Sequence, residues 1–158
     1  MARAKQTPPL YERDFCHWTA EQAAALRAAA ARRLNLALDF ENLAEEIESL
    51  GRSDRRALVS HVKRVIEHLL KLQYSPAQEP RPGWQESVDL HRQEARELLN
   101  DSPSLRYHLE SALQPCYRDA ARLAMRGLAA DAVDVTLPET CPYRLDDILS
   151  EDWWPGRP

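Results

Sequence analysis

Glycine is scarce: four residues among 158. That excludes a glycine-rich phosphate loop and argues against a turn-dense β fold. Cysteine is equally thin, with Cys16, Cys116 and Cys141 and no Cys-x-x-Cys pair. An odd number with no such pair argues against a disulfide framework or a zinc knuckle, and points to reduced thiols. No run of eighteen apolar residues occurs, so no membrane span is expected. The first fifteen residues, MARAKQTPPLYERDF, lack the apolar centre of a secretory signal, and a cytoplasmic location is expected. Positive charge is not in surplus either. The net charge is -4, against the basic balance usual for a nucleic-acid binder. Neither Gly-x-Ser-x-Gly nor Glu-x-x-His occurs. The first absence removes a common serine-nucleophile turn, the second the signature of a carboxylate–histidine metal site in a bundle.

What remains is rich in alanine, leucine and charge, with 44% hydrophobic and 29% charged residues. That balance describes a globular, helix-forming chain of one domain. Residues 1–9 read as a loose tail and 10–158 as a single helical domain. Thr19 with Gln22 matches a capping box and predicts a helix from Ala20 to Leu34, with Ala23, Leu26, Ala30 and Leu34 inward. Asn35 to Leu38 reads as a joint. Asp39 caps a second helix, Phe40 to Leu50, whose apolar face is Phe40, Leu43, Ala44, Ile47 and Leu50. Gly51 is expected to end it in a left-handed conformation, with Ser53 capping the next. That third helix, to Gln73, carries the clearest stripe: Leu58, Val62, Val65, Ile66, Leu69 and Leu72.

The prolines of SPAQEPRPG predict a surface crossing. A fourth helix, Trp84 to Leu99, turns Trp84, Val88, His91, Ala95, Leu98 and Leu99 inward. Ser102 and Pro103 open a fifth, to Arg126, with Leu105, Leu109, Ala112, Leu113, Cys116, Ala120 and Leu123 inward. Pro115 predicts a kink or break near Leu113. Leu145, Ile148 and Leu149 suggest a last short helix, with Trp153 and Trp154 packing on the bundle. The expected fold is all-α: about five helices plus a short C-terminal one.

The chemistry concentrates in DFENLAEEIESLGRSDRRAL, Asp39 to Leu58. Glu41, Glu45 and Glu48 fall in one arc, away from the apolar face. Like charges one turn apart repel by a few tenths of a kcal/mol, so water or a basic neighbour must relieve them. Arg52, Arg55, Arg56, Lys63 and Arg64 follow closely. The plain reading is a solvated or salt-bridged face. The sharper one gathers Glu45, Glu48 and His68 into an acid/base or metal-dependent site. His61 and His68 share a face but lie about 10 Å apart along it, too far for one zinc. His91, inside an apolar stripe, reads as a core histidine, His108 as a boundary residue and Cys116 as an inert core thiol. The run GRSDRRALVSHVKR is the one patch where nucleic acid could sit; a solvated amphipathic helix is the simpler account.

The order YERDFCHWTAEQAAALR, DFENLAEEIESLGRSDRRAL, HLLKLQYSP, SPSLR and PETCPYRLDDILSEDW closely resembles the bacterial family called domain of unknown function 29. The resemblance covers nearly the whole chain after the tail. It implies a compact all-helical bacterial cytoplasmic domain and no established activity, cofactor or catalytic residue. Matching positions are Asn42, Glu45, Glu46, Glu48, Gly51, His68, Lys71 and Gln73. The chain departs at Leu72, where members often carry tryptophan, and at His91, where they often carry glutamine. The expected function is protein interaction, through Glu41, Glu45, Glu48, Arg52, Arg55 and Arg56, with a protein partner or another copy. No cofactor, metal or membrane is expected, and nucleic acid is disfavoured.

Overall fold

The computed structural model describes residues 7–32, 36–131 and 133–156. They form six helices and, among the described residues, no strand: α1 (Leu10–Arg13), α2 (Phe15–Ala31), α3 (Phe40–Tyr74), α4 (Arg81–Asp101), α5 (Leu105–Ala130) and α6 (Leu145–Leu149). The all-α expectation holds, with the helices divided differently. Most of the expected tail, and Leu34 and Asn35, lie outside the described residues.

The axis of the fold is α3, 35 residues and roughly 50 Å long. The predicted stripe on its second half is fully confirmed: Leu58, Val62, Val65, Ile66, Leu69 and Leu72 are all buried. Against it pack Val88 and Ala95 of α4, and Leu105, Leu109, Cys116, Tyr117, Ala120 and Ala124 of α5. Tyr143, Leu145 and Ile148 close the end of that core. At about 1.5–3 kcal/mol for each large aliphatic side chain buried, this body carries most of the stability.

The first half of α3 lives differently. There α2 is its main cover, and α2 packs almost entirely on α3. Small residues make the contact: Thr19 and Ala23 from α2, Ala44 and Gly51 from α3, all buried. The pair forms a two-helix arm. Its base is tied to the body, because Cys16 N donates to Ser102 Oγ at 3.0 Å and Ser104 N to Asp14 at 2.7 Å.

Several boundaries need correction. Gly51 does not end a helix; it lies buried inside α3. A Cβ there would sit 2.5 Å from Thr19 Oγ1, so the glycine answers to the neighbouring helix and not to a turn. The cap of α2 is Asp14, whose side chain accepts from His17 N at 2.9 Å. Thr19 is internal and buried, its hydroxyl donating to Cys16 O at 2.8 Å. Ser102 caps nothing on α5, which starts at Leu105; its oxygen serves Cys16 N instead. No break occurs at Pro115, since α5 runs through it. The start of α4 lies at Arg81, with Pro82 in the first turn, where a missing N–H is harmless. Of the expected inner face of α3's first half only Ala44 is buried, while Leu43 is 39% and Leu50 50% exposed.

Candidate functional site

The acidic stretch opens on Asp39, whose side chain caps α3 by accepting from Asn42 N at 3.2 Å. Glu41, Glu45 and Glu46 are exposed and Glu48 half-buried. Glu48 binds Arg27 of α2 at 2.7 Å and meets Arg52 at 3.5 Å. Glu45 lies 2.5 Å from Arg52 and 3.7 Å from Arg27. The Arg27 hydrogen bond, reinforced by its charge, holds the Glu48 carboxyl below its ordinary range. This is the salt-bridged face that the spacing suggested. One partner is the nearby Arg52; the other, Arg27, comes from a helix that sequence spacing alone does not place opposite.

Arg55 and Arg56 turn elsewhere. With Arg52 and His108 they line a cleft of about 240 Å³ where α3 meets the first turns of α5. A second cleft, about 450 Å³, shares Arg55 and His108 and adds Cys16, His17, Ala20, Ser104, Leu105 and Tyr107. Among the described residues no acidic residue lines either. Asp14 fixes the walls: it caps α2 through His17 N and also accepts from Ser104 N and Ser104 Oγ, the latter at 2.8 Å.

Further along α3, from Arg64 to Lys71, runs a second polar cluster. Glu67 is only 4% exposed, paired with Lys71 at 2.7 Å and Arg64 at 2.9 Å. Burial works to raise its pKa, but Lys71 and then Arg64 outweigh it, and the carboxyl ends below its ordinary value. The Lys71 stem lies against α5 where Gly127 leaves room; a Cβ there would stand 2.8 Å from Lys71 Cε. His68 Nδ1 is 3.0 Å from the Arg64 carbonyl and 3.3 Å from Ser87 Oγ. A carbonyl only accepts, so Nδ1 carries the hydrogen and has no lone pair with which to activate Ser87. Burial lowers the His68 pKa and keeps the ring neutral at pH 7. His61 Nδ1 meets His91 Nδ1 at 3.0 Å, bridging α3 and α4. His91 is therefore a half-buried partner of another histidine; the fully buried residue of that turn is Arg92.

The three enzyme candidates are not brought together. His68 lies roughly 30 Å along the same continuous helix from Glu45 and Glu48. Among the described residues no group of three or more His, Cys, Asp or Glu could hold a metal ion. Burial raises the thiol pKa of Cys16, Cys141 and Cys116, the last to about 11, so none is a ready nucleophile. Lys63 and Arg64 do not join the basic cleft, and Arg64 is committed to Glu67.

Three contributors escape sequence reasoning. The signal for Glu67 was present, with Arg64 and Lys71 three and four residues away. Nothing marks Arg27 as a cross-helix partner, and nothing marks Arg92 as buried.

The molecule is thus an all-α body with a charged two-helix arm and, among the described residues, no assembled catalytic set. A family model described as domain of unknown function DUF29 matches residues 10–154, and the chain belongs to that family. It is similar to an α-helical protein of unknown function from Rhodospirillum rubrum, whose crystal structure superposes with a TM-score of 0.78. The two are 28% identical over 93% of each chain. No curated protein matches. No helix among the described residues is long and apolar enough to cross a membrane.

Proposed function

We propose that this chain is a protein-docking module whose arm receives the partner. The observation that carries the reading is the outer flank of α3. Leu43, Ile47 and Leu50 follow one another at helical spacing, and Leu43 and Leu50 stay 39% and 50% exposed. Leu36 and Leu38, leading into the helix, are more exposed still. Apolar side chains gathered on one flank favour contact with another protein over contact with water. Glu46 sits three residues after Leu43 and four before Leu50, on the same flank, and forms no ion pair among the described residues. The partner surface that fits is apolar at its centre with a lysine or arginine facing Glu46, the usual arrangement of a dry centre and polar rim. The Glu45–Glu48–Arg27–Arg52 network borders that flank, and the buried contacts of Thr19 and Ala23 with Ala44 and Gly51 hold α2 against α3 behind it.

The test compares the intact chain with Leu43→Asp/Leu50→Asp and with Glu46→Lys, by affinity capture from cells and by sedimentation velocity. Both leucines are exposed, so helical circular dichroism should be unchanged. The reading expects a specific protein, or a second copy, to be lost with the double aspartate variant and weakened by Glu46→Lys. Identical captured proteins and identical sedimentation for all three would overturn it. A metal-dependent or acid/base enzyme is the weaker alternative, since its candidate groups lie at opposite ends of α3.

A further inference from the structure

We propose that the cleft between α3 and the start of α5 is a binding site for a small phosphate monoester whose organic part is apolar or aromatic. It lies on a different flank of α3 from the leucines and does not depend on the docking reading. Charge carries the first step. The chain has 25 acidic residues and a net charge of -4, yet among the described residues no carboxylate lines either cleft. Arg55 makes no ion pair among the described residues, and Arg56 commits only its Nε, to Arg52 O at 3.3 Å. Arg52 is already neutralised by Glu45 and Glu48. Two uncommitted guanidinium groups and the His108 imidazole, from two helices, therefore face one small space. Among the described residues no carboxylate lines that space to balance them, and an anion would.

Chemistry narrows the anion. Guanidinium groups bind phosphate through paired, charge-assisted hydrogen bonds, and two arginines with an imidazole offer more donors than a carboxylate's two oxygens can use. A phosphate monoester supplies three terminal oxygens and up to two charges. The adjoining cleft supplies the rest of the site. Ala20, Leu105 and Cys16 make one side apolar, and the exposed ring of Tyr107 stands beside them. An aryl or alkyl group esterified to the phosphate would lie there. One wall of the site has a fixed backbone, because Asp14 ties the start of α2 to the start of α5.

The experiment is a heteronuclear NMR titration of the whole chain with phenyl phosphate, inorganic phosphate, benzoate and a short single-stranded oligonucleotide. The proposal expects saturable shifts at the Arg55 and Arg56 Nε–H groups and at the Tyr107 and His108 amides. Phenyl phosphate should bind tightest, inorganic phosphate more weakly at the same arginines, and benzoate weakest. Arg55→Gln/Arg56→Gln should lose roughly tenfold or more in affinity, and His108→Gln less. Leu43→Asp/Leu50→Asp should bind as the parent does, which separates this site from the docking flank. No saturation by about 10 mM phenyl phosphate, equal binding of benzoate, or no loss in the arginine variant would each overturn the proposal. Tighter binding of the oligonucleotide would overturn it in favour of nucleic acid.

Discussion

Replacing Gly51 by alanine tests whether the arm is held by close approach. Helix propensity alone says the change should stabilise a mid-helix position by about 1 kcal/mol. The structure says otherwise, because the new Cβ would lie 2.5 Å from Thr19 Oγ1, far inside the 3.5–4.0 Å of a comfortable contact. Rotating Thr19 about χ1 moves the oxygen away only by breaking its 2.8 Å bond to Cys16 O and re-placing a second substituent in a buried contact. Either that rotation or a separation of the helices carries the cost. Overpacking of this kind costs about 1–3 kcal/mol, leaving a net loss of about 1 kcal/mol after the propensity gain. In urea that moves the midpoint down by roughly 0.5 M. Thr19→Ala removes the offending oxygen together with its 2.8 Å bond to Cys16 O, a small change by itself. In that background Gly51→Ala should turn stabilising, giving a coupling of about 2 kcal/mol in a double-mutant cycle read by circular dichroism. A rise in midpoint on Gly51→Ala alone, or a coupling within about 0.5 kcal/mol of zero, would show that α2 and α3 do not approach as described.

The remaining expectations concern the body, the pH response and the arm's opening. Arg92 is fully buried and donates to the carbonyls of Ile148 at 2.9 Å and Trp153 at 2.8 Å, with its guanidinium 5.0 Å from the Trp154 ring centre. Arg92→Met strands those carbonyls and should cost about 2–4 kcal/mol, with red-shifted tryptophan emission; an unchanged midpoint and spectrum would refute the clamp. Burial holds the pKa of His68 and of His91 below 6.5, with the neighbouring charge of His61 adding to the effect at His91. The unfolded chain then binds more protons than the native one below that value, so stability is full above about pH 7 and falls as pH drops through 6.5 toward the folded values. Urea midpoints at pH 7.5 and 5.5 should differ less in His68→Gln/His91→Gln; an equal slope would refute the assignment. Amide exchange should be faster across 20–30 and 42–50 than across 58–72, because the arm buries mainly small side chains where the body buries leucines, valines and isoleucine; uniform protection would contradict that division.

The second half of α3 was legible because its stripe is crossed by two helices and every aliphatic residue in it finds a neighbour. The same periodicity in the first half misled. Leu43 and Leu50 fall on an apolar stripe in the sequence, yet only α2 covers that stretch, and its small side chains reach only the strip around Ala44 and Gly51. Periodicity reports what a helix offers, and coverage depends on which helices arrive. Gly51 misled for a related reason. A glycine after a helical run most often signals an end, and only the position of Thr19 on another helix reveals a packing glycine. The salt-bridged character of the Glu45–Glu48 face was legible from the proximity of basic residues. The specific pairing with Arg27 needed the hairpin geometry of α2 and α3. The basic cleft was half legible: Arg55 and Arg56 stood out, while His108 is 52 residues further on and joins them only through the fold.

Continuity of α3 is what makes two separate surfaces compatible. If Gly51 ended a helix, the acidic and basic segments would be free to fold back on one another, and Arg55 and Arg56 would be consumed by Glu41, Glu45 or Glu46. A straight run through Gly51 prevents that, because residues ten or more apart on one helix lie at least about 15 Å from each other along the axis. The acids must then find bases within two turns or across the arm, which Arg52 and Arg27 supply. Arg55 and Arg56 are left with the body, beside the start of α5, and the leucine flank is left bare on the arm. The arm rests on small-residue contacts and a half-exposed ion-pair network worth little in water, so it is the part of the molecule whose order a bound protein would raise most. A ligand in the basic cleft, by contrast, touches the base of the arm, where Asp14 already ties α2 to α5. Binding there should leave the leucine flank's exchange nearly unchanged, whereas a docked protein should slow it.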